Sequence, residues 1–161
     1  MPSTSKFILF NSLSIVKMQS LARDLSHRLC PGDVITLSGE VGSGKTTFAR
    51  AMIESIAPYV QEVTSPTFTL MQSYDVTLAN GGQDTLWHLD LYRLKHPEEA
   101  EELGLRELWR HITLIEWPEI IEKSLPGQRL DISFDFGKNH DTRSLRFGGD
   151  EAWQNRIKDM E

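Results

Sequence analysis

The residues from Gly39 to Thr46 have the types and the spacing of a phosphate-binding loop. Their order, GEVGSGKT, matches the pattern G-x4-G-K-[ST] in full. In such a loop the glycines allow backbone N–H groups to converge on phosphate oxygens, and the N-terminus of the next helix adds positive potential. Lys45 would reach the β- and γ-phosphates of a nucleotide, and the hydroxyl of Thr46 could bind Mg²⁺. The sequence therefore predicts a nucleotide site at this loop.

Two acidic residues could complete the metal site. In addition to the hydroxyl of the P-loop, the metal needs a carboxylate, which usually lies at the end of a neighbouring strand. Glu116 directly follows the apolar run Ile112–Ile115 and is the first candidate. Asp90 is the second, since strand alternation places it on one face with His88 and Tyr92. There it could bind the metal through water or orient an attacking water. The simpler alternatives are a surface carboxylate at Glu116 and a hydrogen-bonded structural role for Asp90.

Two further positions near these candidates have open interpretations. Thr67 lies in a segment, Thr64 to Phe68, whose hydroxyls could sense a γ-phosphate as a switch does, or form a plain turn that enters a strand. Trp117 directly follows Glu116, and a tryptophan at a strand end is commonly a core residue. Its position beside the predicted metal ligand also makes a functional role worth testing.

The elements that must position these residues predict one α/β domain. A short buried strand over 34–37 and apolar residues at helical spacing over 48–56 flank the loop, which gives strand, loop and helix in that order. The pattern predicts a P-loop NTPase-like, three-layer fold over 1–161 with a mixed sheet that includes antiparallel strands. The segments 1–13 and 150–161 are expected to be peripheral tails. The other predicted elements are a helix over 14–30, a hairpin with strands at 68–74 and 87–91, a helix from Pro97, and strands over 112–115, 129–136 and 143–147.

Composition excludes several classes of protein. The chain has 161 residues and is 39% apolar, which fits one domain with its own core. A net charge of -6 argues against a protein that binds nucleic acid by itself, so any tRNA contact would need a partner. The single cysteine, Cys30, cannot form an intramolecular disulfide and is expected to be buried. No run has the length of a membrane span or a signal-peptide core, so we expect a cytoplasmic protein.

Five segments, in this order, closely resemble the TsaE family of tRNA threonylcarbamoyladenosine (t6A) biosynthesis. They are GEVGSGKTTFAR, SPTFTL, HLDLYRL, EELGL and LIEWPE, and the resemblance covers about residues 14 to 147. It implies an ATPase that uses ATP and Mg²⁺, leaves ADP, and serves the modification of adenosine 37 without being the transferase itself. The implied partners are TsaD and TsaB, with tRNA reached only through their complex.

The resemblance also implies roles for individual residues. Thr46 and Glu116 would bind Mg²⁺, Asp90 would support hydrolysis, Thr67 would lie in a switch-like loop, and Trp117 would lie on the functional surface. The candidates for contact with the adenine base of the nucleotide are Ser14 or Met18 and His140 or Arg143. The implied phosphate-loop contacts are Glu40, Val41, Gly42, Ser43, Gly44, Lys45, Thr46 and Thr47, with Lys45 also catalytic.

Two rival functions remain open at this point. A small-molecule kinase would use the same P-loop, but it needs an acceptor pocket and usually a lid insertion, and the chain shows no obvious one. A nucleotide-dependent binding switch would differ only in whether Asp90 and Glu116 support turnover. No arginine finger is evident, although Arg93 and Arg106 are possible.

Overall fold

The computed structural model describes residues 6–67 and 69–160, and Phe68 of the predicted first hairpin strand lies outside them. The strands are β1 (Phe7–Ser14), β2 (Val34–Gly39), β3 (Met71–Thr77), β4 (Gln83–Asp90), β5 (Ile112–Glu116), β6 (Leu130–Phe136) and β7 (Thr142–Gly149). The α-helices are α1 (Ile15–Ser26), α2 (Lys45–Ile56), α3 (Pro97–Glu101), α4 (Leu105–Leu108) and α5 (Glu151–Ile157). Two 3-10 segments cover Pro118–Ser124 and Lys158–Met160.

All seven strands form one mixed sheet in the order β1-β7-β6-β2-β5-β4-β3. The four central strands, β6, β2, β5 and β4, run parallel. Strands β7 and β1 extend one side of the sheet in antiparallel orientation, and β3 extends the other side. The predicted hairpin is therefore confirmed, as is the mixed α/β fold.

Helices cover both faces of the sheet, which gives the predicted three layers. Side chains of a strand alternate between faces, and Ile35 and Leu114 pack with α1 and α2 in one core. Val34 and Ile115, their immediate neighbours in sequence, pack in a second core with α3, α4 and the segment Pro118–Ser124. Because β2 and β5 are buried on both faces, they read as continuous apolar runs.

The strand–loop–helix around the P-loop forms as the spacing predicts. Strand β2 ends at Gly39, and α2 begins at Lys45, directly after the loop. The apolar face of α2, which includes Phe48, Met52 and Ile56, is buried against the sheet and α1. The loop therefore lies at the carboxyl end of a central parallel strand, where α/β proteins bind ligands.

The two expected tails contribute to the fold, so the prediction of peripheral segments is wrong for their described parts. Residues 7–14 form β1, which pairs with β7, and Ile8 lies in the larger core. Helix α5 and the residues after it bury Trp153, Ile157 and Met160 in the same core. Short apolar segments at chain ends carry weak periodicity, and their pairing partner here is distant in sequence.

Two smaller expectations also differ from the structure. Helix α1 ends at Ser26 and not at Cys30, and a turn at His27 and Arg28 follows it. Cys30 lies beyond that turn and is exposed, so the expectation of a buried thiol is wrong. Among the described residues, no helix has both the length and the apolar character that a membrane span requires.

Candidate nucleotide-binding site

A cavity of about 340 Å³ lies at the carboxyl ends of the central strands and collects most of the predicted site residues. Glu40, Ser43, His140 and Arg143 do not line it. The lining consists of Val41, Gly42, Gly44, Lys45, Thr46, Thr47, Thr67, Asp90, Tyr92, Glu116 and Trp117.

Lys45 is folded back over the loop that precedes it. Its ammonium donates to the carbonyl oxygens of Gly39 and Glu40 at 2.6 and 2.8 Å. Ser43, which is buried, lies 3.4 Å from the same ammonium through its hydroxyl. Burial lowers the pKa of Lys45 below its ordinary value, and the nearby carboxylate of Glu116 opposes this shift. The ammonium is thus a buried cation at the place where the P-loop pattern puts phosphates.

Thr46 and Glu116 meet as the two predicted metal ligands should. The Thr46 hydroxyl donates to Glu116 Oε1 at 2.7 Å, and the glutamate is 1% exposed. Hydroxyl and carboxylate oxygens suit Mg²⁺, which usually takes only one or two protein ligands and fills the other positions with phosphate and water. Among residues 6–67 and 69–160 no cluster of three or more His, Cys, Asp or Glu side chains could hold a metal. The hydroxyl of Thr46 and the carboxylate of Glu116 are donors that fit a magnesium ion whose other ligands are phosphate and water.

Asp90 is held by two hydrogen bonds at the edge of the cavity. Thr67 donates its hydroxyl to Asp90 Oδ2 at 2.9 Å, and the backbone N–H of Tyr92 donates to Oδ1 at 3.0 Å. Ser65 and Thr67 share a further hydroxyl contact of 2.6 Å. Asp90 pairs with Glu116 in the register of β4 and β5, so the two carboxylates sit on adjacent strands. The hydroxyl-rich loop is thereby tied to the candidate catalytic aspartate.

Trp117 closes the site from the side of β5. Its backbone has a φ of 58°, an uncommon left-handed conformation for a bulky residue. The ring lies 4.3 Å from the Lys45 ammonium and 4.8 Å from the ring of Tyr92. A tryptophan this close to a cation makes a cation–π contact. Trp117 is therefore part of the cavity wall as well as a partner of the smaller core.

Arg143 lies behind the phosphate loop and supports it. Its guanidinium donates to the carbonyls of Ser43 and Gly42 at 3.1 and 3.2 Å, and it lies 4.7 Å from the ring centre of Phe136. The backbone carbonyl of His140 accepts a further hydrogen bond from Arg143 at 2.7 Å. His140 itself is exposed. A contact of either residue with a base stays a prediction.

The other candidates for contact with the base lie at the start of α1. Ser14 accepts a hydrogen bond from the backbone N–H of Lys17 at 3.2 Å and so caps the helix. Met18 is fully buried in the larger core. Both side chains therefore have a local structural role, and their contact with a base also stays a prediction.

Comparison with known proteins identifies the family of this chain. A family model described as "Threonylcarbamoyl adenosine biosynthesis protein TsaE" matches residues 13–145. The chain belongs to the TsaE family. A TsaE protein of Rickettsia bellii (strain RML369-C) is 38% identical over 130 residues, which make up 78% of this chain and 87% of the relative. A TsaE protein of Bacillus subtilis (strain 168) is 42% identical over 104 residues, 63% of this chain and 61% of the relative.

A solved structure agrees with the fold. The crystal structure of Bacillus subtilis YdiB matches with a TM-score of 0.74 at 27% sequence identity, and the match covers 98% of this chain and 95% of that one. The family that the ordered motifs predict is therefore confirmed, and so is the fold class. TsaE membership also gives the P-loop a context that the eight-residue pattern lacks, because many unrelated NTPases share that pattern.

Sequence reasoning gives no role to two residues that the structure places at the site. His88 is fully buried and contacts Glu116, with 2.7 Å between Nε2 and Oε2. Tyr92 is 56% exposed and packs on Trp117. The alternation that puts both on the face of Asp90 is the available signal, but it does not reveal that β4 lies beside β5.

Proposed function

We propose that this chain is a cytoplasmic, Mg²⁺-dependent ATPase required for the t6A modification of tRNA. The observation that carries the proposal is the 2.7 Å contact between Thr46 of the P-loop and the buried carboxylate of Glu116. Two oxygen ligands at the mouth of a P-loop suit a metal that is bound with the β- and γ-phosphates. ATP and its product ADP would occupy the cavity beside Lys45.

The residues of the cavity suit phosphoryl transfer to water. Lys45 would bind the β- and γ-phosphates, and Thr46 and Glu116 would hold Mg²⁺, which supplies positive charge against the phosphates. Asp90, fixed by Thr67, would orient the attacking water, because a loose transition state needs positioning more than a strong base. The bond from Thr67 also gives the Ser65–Thr67 loop a route to respond to the γ-phosphate.

TsaB and TsaD are the proposed partners, and hydrolysis would drive or reset their complex. The names of the relatives, which refer to threonylcarbamoyladenosine biosynthesis, support the pathway. The net charge of -6 supports contact with tRNA only through that complex. In this proposal the chain hydrolyses ATP and the transferase reaction belongs to a partner.

The first experiment measures ATP hydrolysis by the purified chain, alone and with TsaB and TsaD. We expect slow hydrolysis alone and faster hydrolysis with the pair. Glu116→Ala and Asp90→Ala should abolish the stimulated rate, because each removes a carboxylate from the cavity. Glu98→Ala, which changes an exposed glutamate of α3, is the matched control and should keep the wild-type rate.

Two results would contradict the proposal. One is a stimulated rate that survives in Glu116→Ala and Asp90→Ala. The other is an absence of stimulation together with transfer of phosphate to a small acceptor, which would favour a kinase that uses the same P-loop.

A further inference from the structure

His88 is a buried polar residue that the proposed reaction does not yet use. It lies on β4 two residues before Asp90, and none of its surface is exposed. Its Nε2 atom lies 2.7 Å from Glu116 Oε2, within the buried interior. A buried histidine beside a metal-ligand carboxylate needs an explanation, because taking two polar groups out of water is costly unless they bond.

The position of the hydrogen in this contact follows from the second ring nitrogen. His88 Nδ1 is buried and has no hydrogen-bond partner among the described residues. A hydrogen on Nδ1 would be a buried donor without an acceptor, which costs more than a free lone pair. The hydrogen therefore lies on Nε2, and His88 donates to Glu116.

Glu116 is consequently held at both of its oxygens. His88 donates to Oε2, and the Thr46 hydroxyl donates to Oε1, each at 2.7 Å. The donor to Oε2 comes from the neighbouring strand, since His88 pairs with Leu114 in the β4–β5 register. Without that donor the carboxylate could rotate about its last side-chain bond, which has a broad torsional minimum.

We propose that His88 is a positioning residue for the metal site: its Nε2–H fixes Oε2 of Glu116 and so keeps Oε1 on the hydroxyl of Thr46, the other residue that would hold Mg²⁺. The inference rests on the proposed function, because it assumes that Glu116 binds the metal. Hydrogen-bond donors to metal-ligating carboxylates commonly act in this way, and their loss typically weakens metal binding 10- to 100-fold.

Three substitutions separate hydrogen-bond donation from packing. His88→Gln places an amide N–H about where Nε2 lies, whereas His88→Asn reaches only about as far as Nδ1. His88→Leu fills the space with no donor. Thermal unfolding without nucleotide shows which variants fold. If His88→Leu does not fold, the comparison of His88→Gln with His88→Asn still shows whether hydrogen-bond donation matters.

The measurement is a titration of ATP binding with Mg²⁺ by calorimetry, with a parallel series in EDTA. We expect the Mg²⁺ concentration at half-maximal effect to rise about tenfold or more in His88→Asn and His88→Leu, and to stay within about threefold of wild type in His88→Gln. ATP binding in EDTA should be the same in all variants that fold, since the P-loop is unchanged.

Each contrary outcome has a distinct meaning. Wild-type Mg²⁺ dependence in His88→Asn and His88→Leu would overturn the positioning role and leave the ATPase proposal standing. The same would follow if His88→Gln were as impaired as His88→Leu, because donation would then be irrelevant. A wild-type protein that binds ATP with no dependence on Mg²⁺ would overturn the metal site, and with it both proposals.

Discussion

Buried ionisable side chains concentrate at one place in this molecule. Among residues 6–67 and 69–160, those classed as buried are Lys45, His88, Asp90 and Glu116. His88, Asp90 and Glu116 lie towards the carboxyl ends of parallel strands, and Lys45 is the first residue of the helix after the P-loop. Burial of such groups costs free energy, so their clustering in a cavity favours a functional site over a structural one.

The pH dependence of ATP binding tests the role of Lys45. Burial lowers the pKa of its ammonium below the ordinary value of 10.5, and the carboxylates of Glu116, Asp90 and Glu119 oppose the shift. Phosphate binds the protonated form, so affinity should be full below the pKa of the free protein and fall as pH rises through it. We expect ATP affinity in EDTA, measured by calorimetry, to begin falling before pH 10.5.

Lys45→Arg is the matched control, because a guanidinium keeps its charge throughout this pH range. The variant should bind ATP more weakly and with little dependence on pH. A wild-type affinity that stays constant up to the ordinary lysine pKa would contradict a lowered pKa for the ammonium that binds phosphate. A decline of equal size in Lys45→Arg would assign the pH dependence to another group.

At the scale of elements, the end of β2 must approach β6 closely for the P-loop to form. A Cβ on Gly39 would lie 2.6 Å from the carbonyl oxygen of Phe134, and the residue has a φ of 148°. Gly42, within the loop, has a φ of 80°, but a Cβ there would contact nothing within 4 Å. Both positions disfavour a side chain by their backbone, and only Gly39 adds a collision with a neighbouring strand.

The two glycines therefore give a matched pair of substitutions. Gly42→Ala should lower the free energy of unfolding by about 1–2 kcal/mol, the cost of a left-handed residue. Gly39→Ala should cost about 1–3 kcal/mol more, since the sheet must shift to accept the extra atom. Urea unfolding without nucleotide measures both values. Equal losses would mean that β2 and β6 are not packed as closely as the structure has them.

The elements that the sequence predicts best are those encoded by local pattern. The P-loop is specified by a few consecutive residues between β2 and α2. The turn residues of the hairpin likewise lie directly between β3 and β4 in the sequence. Glu116 is identifiable because it ends an apolar run. The contact of His88 with Glu116 is not predictable in this way, because it depends on β5 lying between β2 and β4. Strand order arises from long-range packing, which periodicity does not report.

At the scale of the whole molecule, the first described strand and the last described α-helix, β1 and α5, both pack in the larger core. The backbone carbonyl of Lys6 accepts a hydrogen bond from the side chain of Gln154 at 2.8 Å. Arg156 pairs with Asp33 at 2.6 Å, and this hydrogen bond raises the pKa of the guanidinium. Helix α5 is thus tied both to the residue before β1 and to Asp33, which directly precedes β2, the strand that leads into the P-loop.

The sequence assigns these ends to tails because each is short and weakly periodic. Strand β1 pairs with β7, whose residues lie more than 120 positions away, for example Phe10 with Leu145. Helix α5 has only the residues Glu151–Ile157 in which to show a helical pattern. Isolated segments of this length are marginal, and tertiary packing decides their structure.

Trp153 tests whether the carboxyl-terminal segment is part of the core. The residue is 3% exposed and packs in the larger core, so Trp153→Ala should lower the free energy of unfolding by about 3–5 kcal/mol. Asn155→Ala, an exposed position of the same helix, is the control and should change it by less than about 0.5 kcal/mol. Urea unfolding followed by far-ultraviolet circular dichroism gives both values. Equal, small effects would mean that this segment is a peripheral tail. A large effect confined to Trp153 would mean that α5 stabilises the sheet that carries the nucleotide-binding site.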